Sequence, residues 1–69
     1  MALHITLNGQ AHRCGSASPT VADLLTELDL AGKRIAVERN GEIVPRGAYA
    51  QTQLQAQDRL EIVVAVGGG

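Results

Sequence analysis

The sequence predicts an α+β domain, a mixed sheet of four to five strands with one main helix packed on one face. Three observations carry that prediction. Two Asn-Gly dipeptides, Asn8-Gly9 and Asn40-Gly41, each sit between apolar-rich runs. This is the strongest short hairpin signal, because both turn positions tolerate positive φ. Between them, Val21, Leu24, Leu25 and Leu28 recur at helical spacing as one apolar stripe. The last run, "RLEIVVAV", reads as a strand and leads into three glycines.

In order along the chain, Leu3, Ile5 and Leu7 alternate with His4 and Thr6, the period of a half-buried strand. A second strand runs from Gln10 to Cys14. A two-residue turn pairs Leu7 with Gln10, Ile5 with His12 and Leu3 with Cys14. Paired residues share a face, so Cys14 is expected to look into the core. The same register turns His12 inward, an awkward placement that a bulge would relieve. "GSASP" breaks the pattern, and "TVADLLTELDLAG" then reads as a helix. Thr20 is its N-cap, with Asp23 three residues on as a short-chain version of the capping box. Gly32 suits the left-handed stop after it.

Ile35 and Val37 form one arm of the second hairpin, and Ile43 and Val44 the other. Pro45 cannot donate to a ladder, so it ends that strand or sits on an edge. "GAYAQTQLQAQ" reads as loop with a helical turn, anchored by Tyr49 and Leu54. In the last strand Leu60, Ile62 and Val64 share one face, and Glu61, Val63 and Ala65 the other. The order β-β-α-β-β-β gives one helix to cover one face of the sheet, which is a β-grasp arrangement. Residues 1–65 are the expected domain and residues 66–69 a flexible tail. The far face stays open, so Val63 and Ala65 help form an exposed apolar patch. Such a patch is either a partner surface or a pair of ordinary surface hydrophobes.

Composition narrows the function. At 69 residues the chain is one domain, burying only ~60% of the surface its unfolded form exposes. One cysteine permits no intrachain disulfide, and His4, His12 and Cys14 are too few for a structural zinc site. The core is therefore Leu, Ile, Val and Ala. Formal net charge is −1, and Arg13, Lys33, Arg34, Arg39, Arg46 and Arg59 form no run. Nothing favours nucleic acid or an anionic membrane as partner. No apolar stretch is long enough to span a bilayer. The start lacks a signal-peptide layout, so a cytoplasmic setting and a monomer are expected.

Four stretches together resemble one family. They are "LNGQ", "TVADLLTEL", "IAVERNGEIVPR" and "LEIVVAVGGG", and they span essentially the whole chain. The chain is similar to the thiamine-biosynthesis sulfur carriers, the ThiS family, within the ubiquitin-like β-grasp proteins. Two departures stand out. Tyr49 sits where the family often has tryptophan, and Gln57-Asp58 replaces a frequent Gly-Asp turn. The resemblance implies a carrier rather than an enzyme, holding no cofactor of its own. It implies that an adenylyltransferase uses ATP to adenylate the C-terminal carboxylate of Gly69. Sulfur drawn through a cysteine desulfurase then makes a terminal thiocarboxylate, which serves thiazole synthase. Val63, Ala65, Val66, Gly67 and Gly68 are the expected partner-binding residues. Two alternatives share the tail chemistry: a carrier of the molybdopterin-synthase small-subunit type, and a ubiquitin-like protein modifier.

The residues themselves fit a tail that works inside a partner. "GKR" at Gly32 to Arg34 lacks the spacing and the Ser/Thr of a P-loop, so an ATP site belongs to the partner. Glycine permits close backbone approach in a narrow channel. Cys14 reads as a small buried hydrophobe, since reactive thiols need exposure and positive surroundings. His12 could be a base, but no carboxylate or serine is spaced to make a catalytic pair with it, so it reads as an ordinary strand histidine. Lys33 and Arg34 are either cations favoured near a helix C-terminus or contacts to the activating partner.

Overall fold

The computed structural model describes residues 3–65. The five strands are β1 (His4–Leu7), β2 (Gln10–Arg13), β3 (Ile35–Arg39), β4 (Glu42–Val44) and β5 (Arg59–Val64). A helix, α1 (Val21–Glu27), follows β2, and a 3-10 turn, Arg46–Ala48, follows β4. The sheet order is β2-β1-β5-β3-β4. β5 lies at its centre, parallel to β1 and antiparallel to β3. The mixed sheet with one helix is the expected β-grasp.

Both hairpins form where the sequence puts them. Asn8 and Gly9 take φ of +50° and +82°, and Asn40 and Gly41 take +53° and +87°. Leu7 faces Gln10 and Ile5 faces His12, and the Cys14 amide donates to the Leu3 carbonyl at 2.8 Å. Pro45 ends β4, an edge strand. Tyr49 and Leu54 both anchor their loop, Leu54 inside the core and Tyr49 packed against it.

The helix starts as expected and stops early. Thr20 Oγ1 accepts from the Asp23 amide at 3.1 Å, and the Thr20 amide donates to Asp23 Oδ2 at 2.9 Å. Val21, Leu24 and Leu25 are buried against Ile5, Val37, Leu60 and Ile62. Each such side chain contributes about 1.5–3 kcal/mol on burial. Gly32 does not supply the left-handed stop. Asp29 does, at φ +61°, three residues sooner. The Asp29 amide donates to Thr26 and the Leu30 amide to Leu25, at 3.1 and 2.7 Å. This pair of bonds is a Schellman ending.

Asp58 is the one buried charged residue among those described. Its carboxylate accepts from Arg39 Nε at 2.7 Å, Asn40 Nδ2 at 3.0 Å and the Gln55 amide at 2.8 Å. These bonds tie the entry of β5 to the β3–β4 turn. Every buried side-chain nitrogen and oxygen among the described residues has a hydrogen-bond partner.

Candidate functional site

Val66, Gly67, Gly68 and Gly69, the residues expected to react or to thread into a partner, lie outside the described residues. The site that can be built is their root, the exit of β5. β5 enters the centre of the sheet at Leu60, which is fully buried, and its core face stays covered to Ile62. Beyond that point it emerges. Val64 shares the core face but is 46% exposed, and Val63 on the opposite face is 65% exposed. Ala65 is exposed as well. The strand is thus held firmly at one end and laid bare at the other.

Two contacts fix the root. On the β3 side, the Ala65 amide donates to the Arg34 carbonyl at 2.9 Å. On the β1 side, the Asn8 side chain stands in for a strand. Its Oδ1 accepts from the Ile62 amide at 2.8 Å, and its Nδ2 donates to the Ile62 carbonyl at 3.2 Å. Asn8 therefore has two tasks, the left-handed turn and the clamp on β5. The Asn-Gly signal revealed only the first.

Val63 does lie on an open apolar face, as the alternation implies. Ala36 is directly opposite it on β3, and Ile43 on β4 is 65% exposed. Ile43 and Val44 are adjacent in a strand, so only one of them can face the helix. Val44 does, which leaves Ile43 on the open face, where it lies across from Glu38 on β3, itself opposite Glu61 on β5, and so apart from the Val63–Ala36 pair.

Lys33 and Arg34 do not flank a helix C-terminus, because α1 ends at Glu27 and has no base in its last turn. They stand instead beside the root, through the Arg34–Ala65 bond. His12 does have a carboxylate partner. Glu27 Oε1 lies 2.9 Å from His12 Nε2, and Glu27 Oε2 accepts from the Gly15 amide at 2.7 Å. No bulge is needed, since the inward-turned ring meets the end of the helix. These two bonds hold the Glu27 carboxyl below its ordinary range, against a smaller upward push from burial. The pair is level with Ile5, roughly 20 Å from Ala65 along the strand direction at ~3.3 Å per residue. It braces β2 on α1 and is remote from the root.

Cys14 is 1% exposed. Burial pushes its thiol up, and the negative charge of Glu27 pushes the same way. That is the opposite of a thiol activated for chemistry. Among the described residues no three His, Cys, Asp or Glu side chains are placed to hold a metal ion. No helix among them is long and apolar enough to cross a membrane.

Comparison with known proteins bears on the whole chain. The ThiS family model matches residues 5–69. A thiazole synthase of Paramagnetospirillum magneticum is 48% identical over 67 residues, covering 97% of this chain and 20% of that protein. The sulfur carrier protein ThiS of Bacillus subtilis is 38% identical over 65 residues, covering 94% and 98% of the two chains. The crystal structure of the thiamine biosynthesis protein ThiS from Geobacter metallireducens superposes with a TM-score of 0.81 at 33% identity, covering 97% and 100%. The chain spans about a fifth of the length of the thiazole synthases it matches and nearly all of the Bacillus carrier.

Proposed function

Since the chain belongs to the ThiS family, we propose that it is a sulfur carrier of thiamine biosynthesis whose reacting group is the C-terminal carboxylate of Gly69. The observation that carries this reading is the exit of β5. The strand is packed and bonded on both sides up to Ile62, and Val63 to Ala65 then emerge at the rim. The sequence that follows is Val-Gly-Gly-Gly, and the family match runs through it to residue 69.

A carboxylate at neutral pH is a poor electrophile. One oxygen of Gly69 attacks the α-phosphorus of ATP and pyrophosphate leaves, giving an acyl adenylate. The terminal sulfur of a persulfide then displaces AMP. A thiol splits the resulting acyl disulfide and leaves the thiocarboxylate, with the two sulfur partners joined as a disulfide. The adenylyltransferase supplies the ATP site, a cysteine desulfurase supplies the persulfide sulfur, and thiazole synthase receives it. The carrier contributes reach and recognition. Residues 66–69 reach on the order of 3.3–3.6 Å each when extended, and the glycines bring no side chain into a narrow channel. The apolar face of Val63 and Ala36 offsets the entropy lost when a partner orders the tail.

Intact mass of the full chain tests this, after incubation with the adenylyltransferase, ATP, a desulfurase and cysteine. The expected product carries one oxygen-for-sulfur exchange and transfers that sulfur to thiazole synthase. Lysine-linked adducts of higher mass support the modifier reading instead, and an unchanged mass overturns the carrier reading.

A further inference from the structure

β1 and β5 run parallel but end at different heights. β1 stops at Leu7, while β5 runs on to Val64. In β5 the even-numbered residues turn their backbone groups toward β1. Asp58 and Leu60 carbonyls accept from Thr6 and Asn8 amides at 2.9 Å, and Ile62 is bonded by the Asn8 side chain. Val64 is next in that series. Its N–H and C=O point to the side where β1 has already ended, and no described residue bonds them. A hollow of about 250 Å³ lies alongside, lined by Leu7, Asn8, Leu28, Leu30, Ile62 and Val64. Leu30 is held there by its amide bond to Leu25. The result is a notch beyond the end of β1, with an open hydrogen-bonding edge as its wall and leucines of the helix end as its roof.

We propose that this notch receives an extended segment of thiazole synthase as an added strand beside Val64. The proposal rests on the sulfur-carrier reading and specifies how the acceptor is engaged. An unpaired N–H and C=O on a strand edge are matched by another extended backbone. The adjoining apolar hollow takes an aliphatic side chain from that strand, because alternate residues of a strand share a face. The partner is indicated by the relatives in which this domain's match fills a fifth of a thiazole synthase. There the synthase is covalently beside such a domain. The notch is also one residue from Ala65, so a segment seated in it lies at the root of the reacting tail.

Val64→Pro tests the proposal. Set beside a Val64→Ala control, which trims the side chain lining the hollow but keeps the N–H, it reports the loss of the outward N–H, and proline is tolerated at a strand position whose N–H faces outward. The variant is expected to keep its thermal unfolding and its loading with sulfur, yet to bind thiazole synthase about tenfold more weakly, the loss of one well-made hydrogen bond. Amide exchange in the wild-type carrier gives a second readout. Val64 exchanges fast in the free carrier, whereas Val63, paired with Ala36, is protected. On adding excess synthase the Val64 amide slows at least about tenfold. Wild-type affinity in a folded Val64→Pro carrier, or a Val64 amide that stays fast in the complex, overturns the notch and leaves the carrier reading intact. Protection that grows with carrier concentration, without synthase, assigns the notch to a second copy of this chain and also overturns it. A wild-type carrier that neither gains sulfur nor binds the synthase removes the premise, and the proposal with it.

Discussion

Arg39 Nε donates to Asp58 Oδ2 at 2.7 Å, and this pair locks the end of β3 to the entry of β5. The Asp58 carboxylate is 7% exposed. Burial alone raises its pKa. The Gln55 amide, the Asn40 side chain and Arg39 together override that and hold it below the ordinary value of 3.8. A carboxyl whose folded pKa is lowered contributes stability that is present above its unfolded pKa and lost as pH falls. Urea midpoints of the wild type are therefore expected to fall below about pH 4. Asp58→Ala is expected to cost about 3 kcal/mol at neutral pH, because Arg39, Asn40 and the Gln55 amide lose their acceptor together. It is also expected to flatten that acid dependence. Parallel acid-side slopes in wild type and Asp58→Ala place the acid sensitivity elsewhere.

Gln57 and Asp29 both hold left-handed backbone, at φ +68° and +61°. That conformation costs most L-residues about 1–2 kcal/mol. Gln57→Gly keeps the one bond the residue makes to β1, from its amide to the His4 carbonyl at 2.9 Å. Each glycine substitution is expected to stabilise the domain by about 0.5–1 kcal/mol once the extra freedom of glycine in the unfolded chain is set against the relief. The two sites share no partner, so the double variant is expected to show the sum. Denaturant midpoints of the three variants check this.

These same two residues mark where the sequence was legible and where it was not. Local signals are legible in the sequence. Asn-Gly fixed both hairpins, and Thr20 with Asp23 fixed the helix start. The helix stop is not legible, because Asp29 does what glycine does elsewhere and only the backbone shows it. The capping-box acid and the apolar stripe are properties of neighbouring residues. Asp58 with Arg39, Glu27 with His12, and Asn8 with Ile62 are pairs 15 to 54 positions apart, created by the topology and invisible in any short window. The exposed alternation of Val63 is readable in the sequence, whereas the outward turn of Ile43, across from Glu38 on β3, follows only from Val44 facing the helix. The chemistry proposed for the tail rests on family resemblance. Glycines alone fit an inert terminus equally well.

Cys14→Ala is expected to leave sulfur loading unchanged. The thiol is buried, raised rather than lowered in pKa, and two strands from β5. Losing one buried sulfur atom leaves a small cavity and costs about 1–2 kcal/mol. Native protein is also expected to resist alkylation at this position until it unfolds. Thiocarboxylate yield by intact mass, set beside the urea midpoint, separates the two effects. A folded variant that fails to load makes the thiol a participant.

Gly68→Val separates folding from reaction most sharply. β5 ends at Val64, and among the described residues none beyond Ile62 belongs to the core cluster. Thermal unfolding of the carrier alone is expected to change by no more than about 0.5 kcal/mol. Adenylation is expected to fall severely. In the proposed reading the partner's channel closes on bare backbone, so valine adds a branched side chain there, and its two Cβ substituents restrict the conformations the chain can take. Pyrophosphate exchange catalysed by the adenylyltransferase reads the reaction directly, before any sulfur is transferred. Exchange at the wild-type rate in Gly68→Val shows that no channel selects for glycine, and the carboxylate of Gly69 then loses its claim to be the reacting group by way of a threaded tail.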